Sequence, residues 1–406
     1  MRLPSDFRLL VTGMALSWLG NGFQTVALAV AVAPTGGARD LGLVMACSVV
    51  AMLACTLFGG VWADRLQPQR VMIGADLVRF ATTGAIAVMF GSGGYHLPAL
   101  CALAAVSSGA GAFFSPALMA LKPLLVTPAR RQSTNATLSL VQTCCAVLGP
   151  ALGGLTVARF GASTGFAVNA ASFLASTAAA ALIRAHAPRA PRGRMWQDLG
   201  AGWREIRTRD WLLAGVLSAT VYHIANGVVF VLVQVLAVER LGGASAAGFV
   251  ASAEGLGGVV GAAVALRLRP ARLLRAGWFA LFLMPLWALA YVWPGVLLPV
   301  MAGAVAGYAG LSFFSVAWET ALQDHVPHAA LGRVHSWDML TSFVAMPVGS
   351  ALAGPLSEAY GMDRVLVVCS VVFALAAAAP LLVPASRRLT RAPAAAEPPV
   401  MATAGV

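Results

Sequence analysis

Charged side chains in this chain are confined to short segments between long runs that have none. No Asp, Glu, Lys or Arg occurs from Leu9 to Ala38, from Leu41 to Ala63, from Leu97 to Leu121 or from Trp211 to Val238. A helix needs about 20 apolar residues to cross the hydrocarbon core of a bilayer. Inside lipid such a run must satisfy its own backbone hydrogen bonds, which a helix does. The composition agrees: of 406 residues 59% are apolar and only 10% charged, where a soluble domain carries about a quarter. The mean hydropathy is +0.81. A soluble globular domain, a disordered chain, a fibre and a disulfide scaffold are all excluded. The expected class is an all-α polytopic membrane protein.

Charge-free runs, split at Gly/Pro clusters, give twelve expected spans. They lie at 9–38, 41–63, 71–91, 97–121, 132–158 and 160–183, then at 211–238, 241–266, two within 276–318 split by Val292–Gly295, 336–357 and 365–385. The expected organisation is an N-terminal six-helix half (1–185), a central loop (186–209), a C-terminal six-helix half (210–385) and a disordered tail (386–406). Met195, Trp196, Leu199, Trp203 and Ile206 share one helical face in the central loop, which reads as an interfacial amphipathic helix. Matches about 200 residues apart suggest two related, pseudo-symmetric halves: Gly154 and Gly161 with Gly354 and Gly361, and Gly60 with Gly261.

A net charge of +12 would point to nucleic acid in a soluble protein. Here the charge lies in the loops: 22 of the 27 basic residues fall on the side that holds both expected termini and the central loop, and 4 on the other. That asymmetry puts both termini in the cytoplasm of a multi-pass inner-membrane protein and makes the lipid bilayer, not nucleic acid, the partner. No cleavable leader is expected from the first residues, which run straight into span 1. The six cysteines lie within apolar runs without metal-ligand spacing to histidine. They read as buried thiols, and neither metal nor cofactor is expected.

Polar residues inside spans are costly, so their placement is informative. Asn21 and Gln24 share a face of span 1 with Ser17; His223, Asn226 and Gln234 form a stripe on span 7; Gln142 lies with Asn135 and Ser139 on span 5. These stripes point to a substrate cavity, or to hydrogen bonding between helices alone. Glu254 falls halfway along span 8 among small residues. A carboxylate there is costly to keep charged, and protonation removes the cost, so Glu254 and His223 are the candidates for proton coupling; ion pairing with another span is the other reading. Asp76 and Arg79 stand one turn apart on span 3 and can pair. In span 5, Pro150 removes a backbone donor, while Gly149, Gly153 and Gly154 permit close helix contact; this is a hinge or simple packing.

The segment Gly60–Arg65 reads GVWADR, with Arg70 following, and resembles the motif between spans 2 and 3 of the major facilitator superfamily. Gln67 stands where that motif has a glycine, and Arg70 comes one residue late. Leu148–Gly154 reads LGPALGG and is similar to that superfamily's antiporter motif, with Cys145 replacing an upstream glycine. Asp76–Phe80 and Leu322–Pro355 resemble the enterobactin-exporter and macrolide-efflux branch. The resemblance implies a gating role for Gly60, Asp64, Arg65, Arg70, Asp76 and Arg79, and a hinge at Gly149, Pro150, Gly153 and Gly154. It also implies a secondary transporter, not an enzyme, that exports a small partly apolar molecule in exchange for protons by alternating access. Relatives often carry an acid on span 1 where this chain has Asn21. An importer of the same fold is the alternative, and a non-transporting receptor a more distant one. The charge asymmetry predicts that a single cysteine replacing Arg192 reacts with an impermeant maleimide in inverted vesicles and not in intact cells; labelling in intact cells would reverse the orientation.

Overall fold

The computed structural model describes residues 5–63, 67–122, 125–126, 131–183, 203–268, 270–292 and 296–390. Every regular element among them is a helix. In order these are α1 (Ser5–Ala63), α2 (Pro68–Gly91), α3 (Leu97–Leu121), α4 (Arg131–Phe160), α5 (Ala162–Ala181), the short α6 (residues 203–207), α7 (Asp210–Arg240) and α8 (Ala244–Arg267). There follow α9 (Leu273–Ala280), a 3-10 turn (Leu281–Leu283), α10 (Met284–Leu289), α11 (Leu297–His325), α12 (His328–Tyr360), α13 (Met362–Leu382) and α14 (Pro384–Arg388). Eight of the described helices are long and apolar enough to cross a bilayer, and one of these, Ser5–Thr56, is 52 residues long. The whole of α1, Ser5–Ala63, covers the first two expected spans. It breaks at Gly37, whose φ of 55° and ψ of −151° lie where a side chain is strained.

Gly161 starts α5 with φ 85° and ψ 166°, and Gly361 starts α13 with φ 82° and ψ 144°. These two glycines, matched across the chain from the sequence, make the same tight turn. Gln69 joins the start of α2 to the end of α5, its Nε2 donating to the carbonyls of Ala180 and Ile183 at 2.7 Å each. It satisfies acceptors that a helix end leaves open.

Lipid tails are as apolar as the side chains, so helices in a bilayer associate by close packing of small residues. The contacts between the first six spans and the rest cluster at the end of the bundle near Gly37. A methyl added to Gly154 of α4 would lie 2.7 Å from the Ala244 carbonyl and 2.9 Å from Gly248 Cα of α8. On the same helix, a methyl at Gly149 would lie 3.0 Å from the Leu19 carbonyl and one at Gly153 2.7 Å from Phe23 Cα, both on α1. The antiporter-like stretch therefore sits between α1 and α8 at backbone contact, with Pro150 inside α4. Gly42 of α1 lies against the Ser350 carbonyl of α12, and Gly227 of α7 against Gly349. Polar ties close the same end: the Tyr95 hydroxyl donates to Asp40 at 2.6 Å, and Arg240 pairs with Asp363 at 2.6 Å.

At the opposite end Ile206 of α6 is fully buried, in a cluster with Trp211 and Leu212, and Trp203 packs on Trp337 with ring centroids 5.1 Å apart. This part of the expected interfacial helix docks on protein, because its apolar face finds α7 and α12 before it finds lipid. Met195, Trp196 and Leu199 lie outside the described residues. The chain also remains helical beyond 385: Ser386 in α14 is buried and accepts a hydrogen bond from the Trp278 indole at 3.1 Å. We expect Gly154→Ala to destabilise the protein by about 1–3 kcal/mol through overpacking. Gly258→Ala, whose methyl meets nothing within 4 Å, is the control. Equal thermal midpoints of the two variants in detergent would rule out a tight α4–α8 contact.

Candidate functional site

A cavity of about 450 Å³ lies along α1 between Met14 and Leu28, away from the clasped end. Its apolar wall includes Trp18, Met45, Met52, Phe114 and Phe230. Its polar groups are Ser17, Asn21, Gln24, Thr25, Ser107, Ser108 and Gln234, and its one charge among the described lining residues is Arg79. The expected stripes on spans 1 and 7 thus meet across one space: Asn21 and Gln24 from α1, Gln234 from α7. The size and mixed lining are those of a small-molecule site.

Arg79 is held from three directions. Its Nη1 lies 3.4 Å from Asp76 Oδ1 on the preceding turn, its Nη2 donates to Asn21 Oδ1 at 3.2 Å, and its guanidinium carbon sits 3.8 Å from the centre of the Phe173 ring. Asp76 is 1% exposed, and the Ser176 hydroxyl also reaches it. The pair expected from sequence therefore exists, and it places a cation at the cavity wall. Behind Gln24, Asn169 of α5 is fully buried and donates to the Gln24 side-chain oxygen. Sequence reasoning passed over Asn169, Ser107 and Ser108; each is a polar residue within an apolar run, and that signal alone marks them.

Glu254 lies in a separate small cavity of about 30 Å³, with room for a water or two. Thr25, Phe230 and Gln234 line both spaces and stand between them. The Trp287 indole and the Tyr308 hydroxyl lie beside the Glu254 carboxyl, and Tyr291 is close by. Gln234 Nε2 and the Tyr291 hydroxyl are buried without a protein partner among the described residues, which makes them donors for water or a ligand. Among the described residues Glu254 is thus bordered by neutral groups rather than by a cation, and the aromatic residues come from α10, the turn after it and α11, beyond the reach of span 8's own sequence.

His223 does not join Glu254. It lines another cavity with Glu319 and Asp338, and its Nδ1 donates to the Ala219 carbonyl at 2.7 Å. Asn226 lines neither the central cavity nor the Glu254 cavity, and its Oδ1 is buried without a partner among the described residues. Gln142 is exposed and lies outside the central cavity, as do Asn135 and Ser139. Gly60 lies in the last turn of α1, Arg70 is exposed on α2, and Asp64 and Arg65 fall outside the described residues.

The Asp76–Arg79 pair can be tested by a double-mutant cycle. Asp76→Asn strands a largely buried guanidinium and should cost about 3 kcal/mol. Adding Arg79→Gln should cost less than the sum of the single effects by about 1 kcal/mol or more. Strict additivity in detergent melts would show that the two side chains do not interact.

Comparison with known proteins now fits this geometry. The family model of the Major Facilitator Superfamily matches residues 10–350. The chain is 26% identical over 384 residues to the multidrug efflux pump Tap of Mycolicibacterium fortuitum, covering 91% of this chain and 93% of that protein. It is 26% identical to Tap of Mycobacterium tuberculosis, with 97% and 96% covered. Among solved structures, an auto-inhibited POT family peptide transporter superposes with TM-score 0.75 at 13% identity, covering 97% of this chain and 99% of that one. A bacterial homologue of the iron transporter ferroportin, in its inward-facing state, gives 0.71 at 16% identity, covering 93% and 100%. A helical bundle clasped by glycines at one end around a cavity of mixed polarity, matched by a family model over most of its length, belongs to the Major Facilitator Superfamily of membrane transporters.

Proposed function

We propose that this transporter exports a small, partly apolar molecule from the cytoplasm in exchange for protons. The observation that carries the reading is the central cavity: Trp18, Met45, Met52 and Phe114 offer apolar surface, while Asn21, Gln24, Gln234 and Arg79 offer polar contacts. Such a lining suits an amphipathic solute rather than a sugar or an ion. Similarity to proteins named as multidrug efflux pumps supports the export direction. With both termini cytoplasmic, as the loop charges suggest, the clasped end faces outward and the cavity belongs to an inward-facing state.

Alternating access requires the clasp to open. The glycine contacts of Gly149, Gly153 and Gly154 with α1 and α8 are its moving surface, and Asp64 and Arg65 would latch the other end. The small loss of packing per glycine contact keeps the two states close in energy. The N-terminal and C-terminal six-helix halves would rock about the cavity.

Glu254 is the coupling acid in this reading. It lies beside the cavity, behind Gln234, among neutral donors. A carboxylate near the bilayer centre costs several kcal/mol, and protonation or hydration relieves that cost. When its small cavity is dry the acid holds its proton; when the cavity wets the proton leaves. Proton occupancy then follows conformation. His223 lies in a different cavity, so any proton exchange between them requires intervening groups. Glu254→Gln should fold and bind substrate, lose drug accumulation driven by a pH gradient in inverted vesicles, and keep energy-independent exchange. Full gradient-driven accumulation by that variant would remove Glu254 from coupling.

A further inference from the structure

A second cavity of about 170 Å³ shares no lining residue with the central one. It opens between α7, α9, α11, α12 and α13, nearer the Asp210 end of α7. Three rings build one wall: Trp278 and Phe314 have centroids 4.5 Å apart, and Phe314 and Trp318 stack at 6.1 Å. Tyr222 closes the opposite side, packed on Phe373 with centroids 5.0 Å apart. Space for this wall is provided by Gly215, where any side chain would collide with the Trp318 indole.

Two carboxylates border the rings. Asp338 Oδ2 accepts from the Trp318 indole at 3.1 Å, which fixes ring and acid together. Glu319 is half exposed, and the His335 Nδ1 lies 3.7 Å from its carboxylate. The Ala219 carbonyl can only accept, so His223 carries a hydrogen on Nδ1, and in the neutral ring Nε2 is a hydrogen-bond acceptor. No lysine or arginine is among the described residues that line this space. It is lined by aromatic side chains, two carboxylates and an imidazole acceptor, a set that attracts positive charge. The central cavity carries the opposite sign at Arg79.

We infer that this second cavity is a binding site for a small organic cation, a quaternary ammonium or a protonated amine, distinct from the central cavity. Its volume admits a headgroup and excludes a bulky drug. The aromatic lining replaces the water around the cation, and Glu319 and Asp338 supply the countercharge. The site lies on the same stretch of α7 that leads, through Asn226, to Phe230 and Gln234 in the central cavity, so a cation bound here sits beside the internal wall of the bundle. The inference concerns binding alone and stands whether or not the central cavity carries the transported molecule.

The test uses the purified full-length protein in detergent and a matched pair of probes. Choline and 3,3-dimethylbutan-1-ol have the same shape and differ in having nitrogen or carbon at the centre. We expect saturable choline binding by calorimetry and at least tenfold weaker binding of the alcohol. Glu319→Gln, which removes charge and touches no ring contact, and Asp338→Asn, which keeps an acceptor for the Trp318 indole, should each weaken choline tenfold or more. Asn21→Ala in the central cavity should leave choline binding unchanged. Thermal midpoints establish that each variant is folded. Equal affinity for the two probes would mean a merely apolar pocket and overturn the inference. So would absence of saturable choline binding, or loss of binding in Asn21→Ala with Glu319→Gln unaffected.

Discussion

Close backbone contact between helices is the constraint on which the rest of this structure depends. In lipid the helices gain nothing by hiding apolar side chains from water, so they hold together only where their surfaces meet over a wide area. Glycines supply that surface at one end, where α4 is pressed between α1 and α8 and α7 lies against α12. Within each half the same device recurs further along the helices, at Gly13 against Ala179 and at Gly261 against the Ala309 carbonyl. The cavities lie between these contacts.

The cost of polarity in a bilayer arranges the interior. Arg79 is tolerated because Asp76, Asn21 and Phe173 surround it. Among the described residues Glu254 has no such cation and lies beside the Trp287, Tyr291 and Tyr308 side chains instead. Asp338 is anchored by an indole. These three solutions differ in kind. The first is an ion pair, the second a carboxyl beside neutral side chains, and the third a carboxylate tied to an indole. The chemistry open to each site follows from what surrounds the charge rather than from the residue itself.

Much of this was legible in the sequence because lipid imposes simple rules. Charge-free runs located the helices, since each span must satisfy its own backbone. The matched turns at Gly161 and Gly361 followed from spacing, since a tight turn between antiparallel helices needs the positive φ that glycine tolerates. Asn21, Gln24 and Gln234 reached the cavity as their faces suggested. Gln142 did not, although it sits on an equally good polar stripe: a stripe says that a face is unusual, but not what that face meets. The superfamily resemblance and the family assignment agree for a related reason, since the motifs that carry the resemblance are local in sequence.

What the sequence by itself determined is therefore the class, the helical runs, the glycines that allow contact and the charges that need explaining. The tertiary structure alone decided the partners. Asn169 stands 145 residues from the Gln24 that it holds, and Asn21 of α1 reaches Arg79 of α2. Glu254 and His223, matched as a pair by their chemistry, were assigned to separate cavities because α7 and α8 turn them toward different neighbours. The physical reason is that hydropathy and backbone conformation are properties of a segment. The cost of a charge and the shape of a cavity depend on side chains that arrive from elsewhere in the chain, and no segment encodes its neighbours.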